Sequence, residues 1–162
     1  MSQTKNQDKQ LSPEEIYVKL AAYCAYQDRC RKEVAQKLAE LGVEGQKAEV
    51  LMARLEEERF LDENRYAESF TRGRFYQKKW GREKIRYELR GRGLSSSQVD
   101  RALAGIPDED YRETIHQLLE RKAAHVRDSD DFVRRQKLAR YLIGKGFESA
   151  LVWEAIDLLM DR

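Results

Sequence analysis

An all-α fold of three tandem three-helix repeats is what this sequence of 162 residues predicts. Two observations carry the prediction. The first is composition: Val, Ile and Thr number 8, 6 and 3, too few for a β-rich protein, while helix formers dominate and charged residues reach 37%. The second is a pattern that occurs three times: an apolar residue, another four on, a glycine four later, an apolar residue next, then apolar residues five and nine beyond. The instances are Val34, Leu38, Gly42, Val43, Ala48, Met52; Ile85, Leu89, Gly93, Leu94, Val99, Leu103; and Leu138, Leu142, Gly146, Phe147, Val152, Ile156. Apolar residues at i and i+4 share a helix face, and glycine supplies the left-handed conformation that ends a helix. Each instance therefore reads as helix, glycine stop, short turn, helix, and a spacing of 51 and 53 residues between the glycines sets the repeat.

The elements follow in order. A polar tail over 1–10 is predicted disordered. The first repeat, 11–61, opens with Ser12-Pro13-Glu14-Glu15, a serine cap with proline at the first helical position, and its first helix runs to about Tyr26. The second repeat, 62–106, opens with Asp62 as cap and a helix from Glu63 to about Lys79. Its later turn, Leu94-Ser95-Ser96-Ser97-Gln98-Val99, carries a capping box between Ser95 and Gln98 and a hydrophobic staple between Leu94 and Val99. The third repeat, 107–162, begins with a helix from Asp110 to about Val126, and Leu158, Leu159 and Met160 extend its last helix. Units of about fifty residues bury little core alone, so neighbours are expected to stack into an elongated, curved array.

Charge is uneven along this array. Residues 1–61 hold ten basic and eleven acidic residues, 62–106 eleven and six, and 107–162 ten and twelve. The positive excess thus sits in the middle repeat, where a negatively charged partner is expected to dock; the plainer reading is a solvated face that aids solubility. Arg82, Arg86 and Arg90 form an i, i+4 row beside the buried Ile85 and Leu89, suited to a phosphate backbone or an acidic protein surface. Arg72, Arg74, Lys78 and Lys79 close the preceding helix, where cations also complement the helix dipole. Tyr76, Trp80 and Tyr87 lie among them and suit either base stacking or packing at the bundle end.

Other chemistry finds little support. No window approaches eighteen apolar residues and MSQTKNQDKQ has no apolar signal core, so a cytoplasmic protein without membrane contact is expected. Cys24 and Cys30 fit neither a disulfide framework nor a zinc pair and read as reduced, structural thiols. His116 and His125, nine residues apart, lie about 180° from one another around a helix and cannot chelate together. With no phosphate loop or nucleophile motif, no enzymatic activity, metal or cofactor is expected.

Three stretches carry a resemblance: Phe60-Leu61-Asp62-Glu63-Asn64-Arg65-Tyr66-Ala67, the basic Arg72-Gly73-Arg74, and Gly81-Arg82-Glu83-Lys84-Ile85-Arg86-Tyr87-Glu88-Leu89-Arg90-Gly91-Arg92-Gly93-Leu94. Together they resemble the signature of the RecX family of bacterial recombination regulators, F-L-D-(D/E)-x-R-(Y/F)-A, a basic segment, and G-x-x-x-I-x-x-E-L-x-x-K-G-I. Arg92 replaces the usual Lys and Leu94 the usual Ile, changes that keep charge and apolar character. The resemblance implies a modulator of the RecA recombinase, built from tandem three-helix repeats, that acts in recombination, DNA repair and the SOS response. Such proteins bind along the groove of the RecA–DNA filament, hinder its extension or promote its disassembly, and suppress ATP hydrolysis and strand exchange. On this reading Arg72, Arg74, Lys78, Lys79, Arg82, Lys84, Arg86, Tyr87, Arg90 and Arg92 meet RecA or DNA. Asp62, Arg65, Tyr66, Gly81, Ile85, Glu88, Leu89 and Gly93 form the structural part of the signature, with Arg65 and Tyr66 locking the first two repeats and Glu88 making a salt bridge that holds this junction or orients a basic residue. The expected partners are the RecA filament and, weakly, single- or double-stranded DNA, with the protein itself a monomer. A freestanding basic helical DNA binder and a scaffold for another protein stay open as alternatives.

Overall fold

A computed structural model of the chain describes residues 10–161; the tail expected over 1–10 lies, Gln10 apart, outside the described residues. Among those residues there are nine α-helices and no strand: α1 (Pro13–Tyr26), α2 (Arg31–Glu40), α3 (Gln46–Glu57), α4 (Glu63–Arg72), α5 (Arg82–Gly91), α6 (Ser96–Ala104), α7 (Asp108–Ala123), α8 (Asp131–Gly144) and α9 (Ser149–Met160). The recurrent glycines end α2, α5 and α8 with φ of 79°, 85° and 96° at Gly42, Gly93 and Gly146. In each case the glycine N–H bonds to the carbonyl three residues back, Ala39, Arg90 or Ile143, at 3.0, 3.0 and 2.9 Å. The following residue, Val43, Leu94 or Phe147, donates to the carbonyl of Leu38, Leu89 or Leu142 at 2.8, 3.3 and 3.2 Å. That is the Schellman arrangement, which satisfies carbonyls a helix end would leave bare and sets the apolar residues on either side of the glycine against each other.

Helix starts follow the sequence closely. Ser12 Oγ accepts from the Glu15 N–H at 3.2 Å with Pro13 at the first helical position. The capping box is complete, with Gln98 N–H to Ser95 Oγ at 3.2 Å and Ser95 N–H to Gln98 Oε1 at 2.9 Å. Three boundaries differ, one of them the end of the third long helix, at Ala123 rather than about Val126. The long helix expected from Glu63 to Lys79 is α-helical only to Arg72, widens into a π-helical turn over Gly73–Gln77, and stops at Lys79, which takes a left-handed φ of 58°. The wider turn carries Phe75 into a fully buried position. The third long helix starts two residues early, at Asp108, where Pro107 holds an extended conformation and Asp108, Glu109 and Asp110 complement the dipole of the first turn.

The chain divides into two compact units, one ending at Asp62 and one starting at Glu63. The first packs α1, α2 and α3 around Leu20, Val34, Leu38 and Leu55, with the reduced Cys24 and Cys30 buried among them. At its edge the Tyr17 hydroxyl donates to Glu58, and Arg54 lies over the Tyr17 ring while pairing with Glu14 and Glu58 at 2.9 and 3.2 Å. Burial and that carboxylate push the Tyr17 hydroxyl up to about 12.

The second unit holds two helix triplets, α4–α6 and α7–α9, joined backbone to backbone. Gly81 N–H, before α5, donates to Lys145 O at 2.8 Å, and Glu83 N–H, in its first turn, donates to Gly146 O at 2.9 Å. Bare donors at the start of one helix thus meet bare carbonyls at the end of another, with opposed partial charges. The approach is so close that a Cβ on Gly81 would lie 2.3 Å from the Gly146 carbonyl, and one on Gly146 would lie 2.4 Å from Lys84 Cβ. Beside this seam Phe75 stacks on Tyr111 at 5.7 Å between centroids, and Tyr111 packs on Phe147 at 5.3 Å.

Candidate recognition surface of the middle repeat

Residues 62–106 build their surface from α4, the π-helical turn and α5. The turn swings Arg74 between two half-buried rings, 4.5 Å from the Phe70 centroid and 5.2 Å from that of Trp80. Phe70 and Trp80 meet edge to face at 6.4 Å. From α5, Lys84 extends over Trp80 at 4.4 Å, and from the turn after α5 Arg92 reaches over Phe70 at 4.7 Å. Three of the expected contact residues are thereby gathered on one aromatic strip. A ring attracts a cation through its quadrupole but carries no net charge, so Arg74 and Lys84 stay unneutralised. Arg74 Nε is buried without a hydrogen-bond partner among the described residues, which leaves ring packing as what positions it. Arg92 differs, since Glu88 Oε2 accepts from it at 2.8 Å; that is the pairing expected of Glu88.

The remaining expected contacts separate into two kinds. Arg72 and Lys78 are exposed, Lys79 is half-buried, and none of the three has a carboxylate partner among the described residues. Tyr87 is 78% exposed. Arg90 is exposed and donates to the Leu94 carbonyl at 2.9 Å, whereas Arg86 pairs with Asp100 on α6. The expected Arg82–Arg86–Arg90 row is not a uniform exposed flank, and Arg82 departs from it. Its side chain is only 22% exposed, pairs with Glu148 at 2.9 Å and Asp108 at 3.0 Å, and covers the Tyr111 ring at 3.8 Å. The cause is its place in the first turn of α5, which the glycine seam presses against the third triplet.

The structural residues of the signature sort as follows. Ile85 and Leu89 are fully buried, Gly93 is the helix stop and Gly81 is the seam. Tyr66 is buried and stacks on Phe70 at 6.0 Å, while Asp62 and Arg65 are exposed. Sequence reading missed Tyr111 and Glu148. The Tyr111 hydroxyl accepts from Arg82 N–H at 3.0 Å and donates to Glu148, and burial with that carboxylate raises its pKa far above the ordinary tyrosine value. One signal was available: each repeat places a tyrosine, Tyr17, Tyr66 or Tyr111, in the first turns of its opening helix. The arrangement suits binding of an anionic partner. No group of three or more His, Cys, Asp or Glu among the described residues could hold a metal, and no described helix is long and apolar enough to cross a membrane.

Comparison with known proteins decides the family. The models described as the first, second and third three-helix domains of RecX match residues 17–55, 62–103 and 108–156. The chain belongs to the RecX family. Among its RecX relatives, the Regulatory protein RecX of Pseudomonas putida (strain GB-1) is 35% identical over 128 residues, covering 79% of this chain and 80% of that one. The Regulatory protein RecX of Limosilactobacillus reuteri (strain DSM 20016) is 29% identical over 140 residues, 86% of this chain and 53% of its own. That of Oceanobacillus iheyensis is 26% identical over 130 residues, 80% and 48%. The chain thus spans about half the length of these last two relatives. The crystal structure of RecX from Lactobacillus salivarius shares the fold with a TM-score of 0.85 at 24% identity, over 93% of this chain and 97% of that one. A second RecX crystal structure gives 0.80 at 25% identity, over 93% and 73%.

Proposed function

We propose that this RecX-type regulatory protein binds the filament that the RecA recombinase forms on DNA, and that it inhibits the filament through its middle repeat. The observation that carries this reading is the set of cations in that repeat without carboxylate partners among the described residues: Arg72, Lys78 and Arg90 exposed, Arg74 and Lys84 held over aromatic rings. A surface with this charge attracts polyanions and acidic protein grooves, and a RecA–DNA filament offers both. Arg86 and Tyr87 extend the surface along α5. Arg82 acts indirectly, by holding α5 against Tyr111 and Glu148. The protein needs no cofactor for this role, and its contacts limit filament extension and slow ATP hydrolysis by occupying the groove in which the DNA phosphates lie.

The test is RecA-dependent ATP hydrolysis on single-stranded DNA with this protein added at substoichiometric amounts. Hydrolysis should fall well before one copy is present per recombinase, since one bound regulator affects many subunits of a polymer. Unchanged hydrolysis together with no association with filaments contradicts the proposal.

A further inference from the structure

The turn that receives α5 in the second unit has a counterpart in the first repeat that stays exposed. Counted from the helix-ending glycines, Leu41, Gly42, Val43 and Glu44 hold the positions of Lys145, Gly146, Phe147 and Glu148. In the third repeat this turn meets the start of α5: the Lys145 and Gly146 carbonyls accept from Gly81 and Glu83, and Glu148 binds Arg82 at 2.9 Å. In the first repeat the Leu41 and Gly42 carbonyls accept no backbone hydrogen bond among the described residues, and a Cβ on Gly42 would meet nothing within 4 Å. Glu44 is exposed and has no ion-pair partner among the described residues. The second repeat lacks the carboxylate, because Ser95 stands two after Gly93 and is committed to the capping box of α6.

Beside the turn of the first repeat lies a concavity of about 1180 Å³ walled by Leu11, Ile16, Leu41, Val43, Val50 and Leu51, with Glu44 and Lys47 as its charged lining residues. This surface selects its occupant by charge. The carbonyls at the end of α2 carry the negative end of its dipole and Glu44 adds a full charge, so a phosphate is repelled, while the N–H groups and partial positive charge at the start of another helix are attracted. A cation in the first turn of that helix meets Glu44 as Arg82 meets Glu148, and an acid beside it, of the kind first turns favour, meets Lys47. Apolar residues further along it fill the concavity. The approach also demands glycine. A Cβ on Gly81 would lie 2.3 Å from the Gly146 carbonyl, and the positions equivalent to Gly81 are Cys30 in the first repeat and Arg134 in the third. The starts of α2 and α8 of a second copy are thereby excluded, and α5 of a second copy is held by its own third triplet. The occupant belongs to another protein.

We propose that the turn between α2 and α3, with its apolar concavity, docks the start of an amphipathic helix of a partner protein. That helix is led by glycine and carries an Arg or Lys and an acidic residue in its first turn. The site recognises the charge opposite to that sought by the middle repeat, so it stands independently of the anion-binding surface there.

The probe is a synthetic peptide of residues 80–92, which reproduces the start of α5 with Ile85 and Leu89 uncovered. Titrated to about 1 mM into the isotopically labelled full chain, it should shift the amide resonances of residues 11–16 and 41–51. Arg82→Glu or Gly81→Val in the peptide should weaken that binding by about fivefold or more. Glu44→Lys in the full chain should weaken it equally, and the Arg82→Glu peptide should recover its binding on the Glu44→Lys chain. Glu44 is exposed, so circular dichroism of that variant should be unchanged. No shifts in residues 11–16 and 41–51, equal binding by the three peptides, or no recovery in the charge-swapped pair overturns the proposal. So does displacement of the peptide by an oligomer of about fifteen thymidines, since the surface then takes an anion.

Discussion

Gly81→Ala probes the seam between the second and third triplets. Gly81 has φ −79° and ψ 169°, a conformation open to any residue. By backbone entropy alone alanine there would stabilise the protein by about 0.4 to 1 kcal/mol. The structure reverses that sign. The new Cβ would lie 2.3 Å from the Gly146 carbonyl carbon and oxygen and from the Phe147 nitrogen. Since carbon contacts settle near about 3.5 Å, the turn between α8 and α9 would have to retreat by about 1 Å. That retreat stretches the bonds of 2.8 Å from Gly81 to Lys145 and 2.9 Å from Glu83 to Gly146. Overpacking costs about 1 to 3 kcal/mol and two weakened hydrogen bonds about 1 kcal/mol each, which after the entropic gain leaves about 3 kcal/mol. Trp80 and Trp153 are the two tryptophans of the sequence and both belong to the second unit, so their fluorescence reports its unfolding without a signal from the first. With a urea slope near about 2 kcal/mol/M the midpoint should fall by about 1.5 M. Gly91→Ala and Gly144→Ala, which meet open space, should be neutral or stabilising by up to about 1 kcal/mol. A Gly81→Ala midpoint equal to or above that of the parent would refute the reasoning.

Other perturbations reach different parts of the account. Arg82→Ala removes two carboxylate bonds and the cover of Tyr111, so the same fluorescence transition should lose about 2 kcal/mol, whereas Arg72→Ala, on an exposed side chain, should stay within about 0.5 kcal/mol. Ser95→Ala breaks the capping box at the start of α6 and should cost about 1 kcal/mol by the same readout. In the first unit, hydrogen bonds from Tyr17 and Arg54 hold the Glu58 carboxyl below its ordinary range, and Arg54 does the same for Glu14. Their stabilising contribution is complete above the ordinary carboxylate pKa and is lost as pH falls through the lowered folded-state values, so thermal melting followed by circular dichroism should weaken below about pH 4. Tyr17 has the opposite sign: its raised pKa contributes below about pH 10 and is lost as pH climbs toward about 12, an alkaline loss that Tyr17→Phe should diminish.

What could be read from the sequence was local. The glycine stops, the Ser12 cap and the capping box each depend on residues within about five positions of one another, and local chemistry settles them. Burial of Ile85 and Leu89 followed from helical periodicity for the same reason. Arg82 looked like its neighbours Arg86 and Arg90 because its partners, Asp108 and Glu148, lie 26 and 66 residues away and no pattern on α5 announces them. Gly81 was visible as part of a signature, but its reason, the approach of Gly146, exists only in the folded second unit. The π-helical turn at Gly73 shifted Phe75 and Arg74 from the directions a regular helix would give, which is why the pairing of Arg74 with Phe70 and Trp80 was not foreseen.

The central claim, that the unneutralised cations of the middle repeat dock this protein on RecA filaments, is tested most directly by cosedimentation. The parent and an Arg72→Gln/Lys78→Gln/Arg90→Gln variant would be compared across one salt series against filaments on single-stranded DNA, RecA alone and the bare strand. The account predicts that the parent binds filaments in preference to either component, and that the folded variant loses most of that binding. Parent binding to bare strand as strong as to the filament, or a variant that sediments with filaments like the parent, would contradict it.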